Sequence, residues 1–246
     1  MRNFGTDAAI EVVGTNEYGD TTRLADKLAE DVILEEIKKI GDASVDSEES
    51  GHLTIGKPKI HWVVDPLDGS SNYSRNIPFF AVSILLEEVP GYKPIAAVVH
   101  EPAQGRTFYA DRSGAYLDSR LISAKPRTEL EDCLFCLDLH FGKDDVKIDK
   151  FLRRVRALAR KTMTFRSIGS VALALCYTAV GSLDGFLDIS KNSRFLDIAA
   201  GAYILEQSGG TVTDSKGQKP SRDYDMLIAA SSLELNRSLR SLIVTS

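Results

Sequence analysis

The sequence predicts a mixed α/β (α+β) protein built in layers, and three observations carry that expectation. Apolar strand-like runs and amphipathic helix-like stretches are interspersed rather than strictly alternating, which favours stacked layers over a regular parallel barrel. The 246 residues correspond to between one and two domains and suffice to bury a core without staples. No internal repeat or low-complexity linker interrupts the chain, so it reads as one continuous unit with two halves, 1–124 and 125–246.

Taken in order, Asp20 to Ile40 reads as an amphipathic helix. Leu24, Leu28, Val32 and Ile37 fall near helical spacing, and Thr21 or Thr22 is available as its cap. The acidic Val45 to Ser50 follows, with Glu48-Glu49 after a plausible strand. Ile60 to Val64 has the pattern of a short buried strand. Phe79 to Leu86 and Ile95 to Val99 read as strands bracketing the Pro90-Gly91 turn. Arg106 to Leu117 reads as a hairpin turning at Arg112-Ser113-Gly114. The second half offers a strand over Leu134 to Leu139, helices over Asp149 to Lys161 and Ser170 to Val180, and a strand over Leu183 to Ile189. Phe195 to Ser208 reads as a helix closed by Gly209-Gly210. Strands near Thr211 and Met226 and a helix from Ser232 complete the order.

The composition narrows the function classes. Thirty Lys and Arg against 35 Asp and Glu give a formal charge of −5 with no basic block, a poor match to nucleic acid or to an anionic membrane. Three cysteines are too few for a disulfide framework, and Cys133-x-x-Cys136 lies in an apolar run, so small hydrophobes in a strand outweigh a zinc or redox site. No apolar run follows Arg2 as in a signal peptide, and no stretch reaches the ~18 apolar residues of a membrane span, so a cytoplasmic location is expected. Phosphate-binding glycine loops, H-E-x-x-H and G-x-S-x-G are absent, and the four histidines share no ligand spacing.

The informative segment is Asp65-Pro66-Leu67-Asp68-Gly69-Ser70-Ser71-Asn72, entered directly from an apolar strand. Asp65 thus falls at a strand's C-terminal end, where open sheets place ligands. Pro66 fixes its own φ and holds Asp65 extended, so the turn that follows can free the Leu67 carbonyl to face the same point as both carboxylates. Gly69 permits tight passage, and Ser70 and Ser71 can open a helix whose free N–H groups favour an anion. Carboxylates with a carbonyl suit Mg2+ or Mn2+. Asp197, ahead of Ile198-Ala199-Ala200-Gly201, is a third acidic candidate; the small residues would let its helix approach a sheet closely.

Together these segments resemble the inositol monophosphatase / fructose-1,6-bisphosphatase family of metal-dependent phosphatases. Asp65 to Asn72 looks like its D-P-[IL]-D-G-[ST]-x-N signature, Leu196-Asp197-Ile198-Ala199-Ala200-Gly201 like its W-D-x-A-A-G, and Ser47-Glu48-Glu49-Ser50 like its G/S-E-E segment. The resemblance covers about residues 12 to 246, and the stretch from Val12 to Asp26 looks most like the archaeal members with both activities. It implies a layered αβαβα sandwich of the sugar phosphatase type and a cytoplasmic homodimer. It implies two to three Mg2+ (or Mn2+) per site, held by Glu48, Asp65, the Leu67 carbonyl, Asp68 and Asp197, with Asp26 supporting the third. It further implies that Glu48 and the Ser70 hydroxyl position the attacking water and that Gly69, Ser70 and Ser71 border the phosphate. Arg166, Gly169, Ser170 and Asp188 would border the alcohol, and Lys191 and Arg194 would hold a second phosphate. Ser70 stands where Thr is commoner, and Leu196 where Trp is. With eleven residues before Val12, the family's first helix is expected to be short or absent.

Four acids in one pocket cannot all ionise without cations, so two Mg2+ would cancel them and a third, or a basic residue, would offset a phosphate dianion. The expected chemistry is in-line attack of water on phosphorus, without a phosphoenzyme, in inositol monophosphate and/or fructose 1,6-bisphosphate. The alternatives are a phosphatase for 3′-phosphoadenosine 5′-phosphate and a non-catalytic phosphosugar-binding module.

Overall fold

A computed structural model describes residues 4–6, 10–16, 19, 21–140 and 143–245. It contains an eight-stranded sheet, a five-stranded sheet and a two-stranded ribbon, β1 (Val12–Thr15) with β2 (Thr21–Arg23). The predicted helix start at Asp20 lies outside the described residues; α1 runs Leu24–Ile40 with Arg23, not a threonine, at its cap position. Thr22 instead turns its hydroxyl to Glu49. The buried stripe of α1 is Ala25, Asp26, Glu30, Leu34 and Ile37, whereas Leu28 and Val32 are exposed. Apolar spacing alone assigned the face wrongly because two acids on α1 face inward.

The large sheet holds β3 (Ala43–Ser47), β4 (Gly51–Ile55), β5 (Ile60–Asp68), β6 (Ala81–Glu88), β7 (Lys93–Glu101), β8 (Arg106–Asp111), β9 (Gly114–Leu117) and β10 (Arg120–Ile122) in the order 10-9-8-7-6-5-3-4. The Arg106–Leu117 hairpin turns where expected. Every pairing is antiparallel except β3 with β5, which run side by side in one direction. After β5 the short α2 (Ser70–Ser74) intervenes.

The small sheet holds β11 (Leu134–Leu137), β12 (Thr164–Arg166), β13 (Gly185–Asp188), β14 (Thr211–Thr213) and β15 (Leu227–Ala230) in the order 12-11-13-15-14. Its helices are α3 (Asp145–Ala159), α4 (Val171–Ala179), α5 (Phe195–Gln207) and α6 (Leu233–Val244). Ser170 and Ser232 cap α4 and α6, each accepting from the backbone N–H three residues on. Gly209, at φ 95°, follows the end of α5.

Contacts between elements give the layers. α1 packs on β3 and β5, α4 and α5 lie between the two sheets, and α3 and α6 cover the outer face of the small sheet. This αβαβα order is the expected sandwich. The central layer supplies the main core, where Leu173, Leu175, Ile198 and Ile204 meet Val99 and Phe108 of the large sheet and Phe186 and Leu227 of the small one. The small residues of α5 let it approach closely on two sides: the helix lies against β5 to β8 of the large sheet, and a Cβ on Gly201 would stand 2.8 Å from Leu175 Cβ and 3.1 Å from Ala172 O of α4. The three cysteines are buried and free, and burial pushes the Cys133 thiol up to about 12 and the Cys136 thiol to about 11, as befits packing groups. Among the described residues no helix is long and apolar enough to cross a membrane.

Candidate functional site

The site begins with the parallel pairing of β3 and β5. Because they point the same way, with Ser47 beside Val64, the acids one residue further on, Glu48 just after β3 and Asp65 near the C-terminal end of β5, lie at the same edge. Glu48 therefore emerges next to Asp65. Residues 65 and 68 would face opposite sides of a regular strand, since side chains alternate with period two. The pairing of β5 with β6 slips between Asp65, opposite Ser83, and Asp68, opposite Ala81. Three residue steps on β5 thus match two on β6. That extra residue is a bulge, and it restores both carboxylates to one side. Pro66 sits within it, where no ladder N–H is needed. Asp65 closes the turn by accepting from the Leu67 N–H at 3.0 Å.

Gly69 has φ 88°, and a Cβ there would meet the Phe79 carbonyl oxygen at 2.7 Å. Both the left-handed conformation and the space demand glycine. The N–H groups of Ser70 and Ser71 open α2 and have no acceptor within the helix. The Ser70 hydroxyl accepts from Arg23 Nη1 at 3.1 Å. Asn72 donates its amide to the carbonyls of Phe79 and Ile168, both at 2.7 Å, and so ties this elbow to the segment before α4.

Asp68 is held by that segment. It accepts from the Ser170 hydroxyl at 2.5 Å and from the N–H groups of Ala172 at 2.8 Å and Val171 at 3.2 Å, at the positive end of α4. Asp197, in the first turn of α5, accepts from the Arg194 N–H at 2.7 Å. The Arg194 guanidinium reaches across to Glu48. Asp26, in the first turn of α1, accepts from the Arg23 N–H at 2.9 Å. Glu30 is fully buried and fixes the turn after β3 through the Ser47 and Ser50 hydroxyls and the Glu49 and Ser50 N–H groups.

Electrostatics sets this cluster apart. Burial, then Glu48, Asp68 and Asp197, drive Asp65 well above the usual carboxylate range. Burial lifts Asp68 to about 6 against the bonds from Ser170 and α4, and lifts Asp197 to about 7 against Arg194. It lifts Asp26 to about 7, with Glu49 and Glu48 adding to the rise. Glu48 is raised by burial against the pull of Arg194. These acids line two adjoining cavities of about 300 and 410 Å³ that share Glu48, Ser70, Ser71 and Asp197; Asp26 and Arg194 lie in the larger.

Leu67, Gly69, Gly169 and Ser170 line the smaller cavity with Asp65 and Asp68. Three expected substrate residues stand apart from it. Asp188 is wholly buried, and its oxygens accept from the Ser190, Asn192 and Ser193 N–H groups, which shapes the 190–193 loop. Arg166 is exposed and turns Nη1 to its neighbour's carbonyl, Phe165 O, at 2.8 Å. Lys191 pairs with Asp223 at 2.7 Å and lines a different cavity. The cavity walls also include Asp138, His140 and Asn192, which sequence reasoning passed over. Asp138 follows the apolar β11, the same strand-end signal that singled out Asp65.

Among the described residues no three acids, thiols or imidazoles close into a metal-holding set. Arg194 lies against Glu48, and Asp68 is turned toward α4. The donors themselves, buried oxygens that raise one another's pKa, are the chemistry that a hard divalent cation relieves, and they fit Mg2+.

An αβαβα sandwich with acids gathered at the ends of β3 and β5 and the start of α5 is the fold of a sugar-phosphatase-type hydrolase. A sequence model of the inositol monophosphatase family matches residues 1–245, and the chain belongs to that family. A fructose-1,6-bisphosphatase/inositol-1-monophosphatase of Thermococcus kodakarensis is 36% identical over 94% of this chain and 82% of its own. A bifunctional NADP phosphatase/NAD kinase of Methanococcus maripaludis is 32% identical over 98% of this chain, which spans 45% of that longer protein. A solved structure from Pyrococcus horikoshii, described as similar to inositol-1 monophosphatase, superposes with a TM-score of 0.82 at 30% identity over 98% of this chain and 91% of its own. The chain is a phosphatase by its family and by the names of these relatives.

Proposed function

We propose that this phosphatase is Mg2+-dependent and hydrolyses inositol monophosphate and/or fructose 1,6-bisphosphate. The observation that carries the reading is the raised Asp65, buried among Glu48, Asp68 and Asp197 in one cavity. Glu48, Asp65, the Leu67 carbonyl, Asp68 and Asp197 would hold the ions, with Asp26 beside an additional one. Bound there, Mg2+ supplies positive charge for a phosphate dianion and acidity for a water.

The chain's own groups do the rest. The Ser70 and Ser71 N–H groups orient phosphate oxygens at the opening of α2. Glu48 and the Ser70 hydroxyl position the water, Glu48 is the base that takes up its proton, and Arg23 fixes the hydroxyl's direction from the other side. Gly169 and Ser170 border the alcohol.

The test is phosphate release from inositol 1-phosphate and fructose 1,6-bisphosphate with Mg2+ and with EDTA. Turnover is expected to vanish in EDTA and in Asp65→Asn. Full activity in either case would overturn the reading.

A second reading rests on the NADP phosphatase named above, 32% identical over almost the whole of this chain. It is a nucleotide phosphate substrate, the alternative with 3′-phosphoadenosine 5′-phosphate. Including NADP and 3′-phosphoadenosine 5′-phosphate among the substrates decides between the two.

A further inference from the structure

Arg23 stands at the junction of β2 and α1, and its backbone is held on both sides. It pairs with Val12 across the ribbon, and its N–H donates to Asp26 Oδ2 at 2.9 Å. From there the side chain lines the larger acidic cavity, of about 410 Å³, and Nη1 donates to the Ser70 hydroxyl at 3.1 Å. The acids on the same wall are turned to other partners. Glu49 accepts from the Thr22 hydroxyl, Asp26 from the Arg23 backbone, and Glu48 lies against Arg194. Arg194, the other arginine of this cavity, also stands 4.0 Å from Asp197. Arg23 differs: among the described residues its guanidinium has a hydroxyl for a partner and no carboxylate.

A guanidinium is a planar fork of N–H donors that matches two oxygens of a phosphate, whereas an ammonium meets it as a point charge. One bond to Ser70 leaves the rest of that fork open. Ser70 and Ser71 line both acidic cavities. A phosphate seated against them therefore faces Asp65 and Asp68 on one side and Arg23 on the other.

Resting on the phosphatase reading above, we infer that Arg23 is itself a catalytic residue, whose guanidinium holds nonbridging oxygens of the scissile phosphate beside the Ser70 hydroxyl. It forms no covalent bond and moves no proton. It offsets the charge on those oxygens as the bond from phosphorus to the leaving alcohol breaks. Because that contact is to the phosphate and not to the alcohol, its loss falls alike on every ester the protein hydrolyses.

The experiment compares wild type with Arg23→Ala and Arg23→Lys. Phosphate release is followed with inositol 1-phosphate and fructose 1,6-bisphosphate, with and without added methylguanidinium, and calorimetry follows inorganic phosphate on the Mg2+-loaded protein. In Arg23→Ala, kcat is expected to fall about a hundredfold for each ester that wild type hydrolyses, and phosphate binding to weaken about tenfold. Methylguanidinium is expected to restore part of the lost activity in Arg23→Ala and to leave wild type unmoved. Arg23→Lys, which keeps the charge without the fork, is expected to fall between. Unchanged phosphate binding in Arg23→Ala, or a loss of activity that tracks a lowered Tm and is not rescued, would overturn the assignment while leaving the phosphatase reading intact. Should Arg23→Ala not fold, Arg23→Lys carries the test, and wild-type kcat and phosphate binding in it would overturn the assignment. If wild type hydrolyses neither ester, the substrate reading fails, and the phosphate titration alone decides for or against Arg23.

Discussion

The Ser170 hydroxyl donates to Asp68 Oδ2 at 2.5 Å, a bond between residues 102 apart in sequence. It fastens the end of β5, in the large sheet, to the opening of α4 in the central layer. The same hydroxyl accepts from the Leu173 N–H at 3.4 Å, so one side chain caps a helix and orients a candidate metal ligand.

Replacing Ser170 with Ala removes both roles and leaves Asp68 with its two amide donors. A lost cap together with a lost charge-assisted bond is worth about 1–3 kcal/mol. Urea unfolding is expected to show that loss, with kcat reduced and Ser170→Thr restoring most of each. Unchanged stability in Ser170→Ala would mean the hydroxyl is not holding the carboxylate.

Gly69→Ala tests the elbow's backbone. The alanine would need φ 88° and would press its Cβ to 2.7 Å from the Phe79 carbonyl oxygen. A strained left-handed residue costs about 1–3 kcal/mol before the clash is counted. The expected outcome is a large fall in thermal stability together with loss of phosphate release. A stable, active variant would show that the elbow can relax where β6 begins.

Much of this architecture was legible in the sequence, and the reasons are local. Asp65-Pro66-Leu67-Asp68-Gly69 carries its own turn chemistry, so its place at a strand end could be read without tertiary information. Ser170 and Ser232 marked their helices because capping is a contact over three residues. What stayed hidden depends on partners distant in sequence. The strands β10 and β12 are three residues each and exist through pairing rather than pattern. The inward face of α1 is chosen by Glu30 and its hydroxyl partners beyond β3, which apolar periodicity cannot see. Asp188 matched a motif position, yet its oxygens are occupied by its own loop, a fact carried by the path of residues 190–193.

Metal removal and pH should act together. Asp26 and Asp197 stand at about 7 in the folded protein against an ordinary aspartate value of 3.8. Between those values the folded form keeps protons that the unfolded form has released, so stability falls as pH rises. With EDTA present, Tm is expected to decline steadily from about pH 4 to about pH 7, and saturating Mg2+ should flatten that decline. A Tm in EDTA that rises or stays level over this range would contradict the burial of these acids.

Arg194 offers the sharpest test of how the site balances its charge. Its guanidinium lies against Glu48, while its backbone N–H holds Asp197. The side chain therefore acts as a tethered cation in competition with any divalent ion for Glu48. Arg194→Ala keeps the backbone bond and removes the competitor, so Mg2+ binding to the substrate-free protein is expected to tighten severalfold. Glu48 would at the same time rise further in pKa, since Arg194 is the chief force lowering it. The gain should therefore be larger at pH 8.5 than at pH 6.5, where protons replace the missing arginine. Calorimetric titration with Mg2+ at the two pH values reads this directly, and weaker binding in the variant at both would show that Arg194 supports the cation site instead of opposing it.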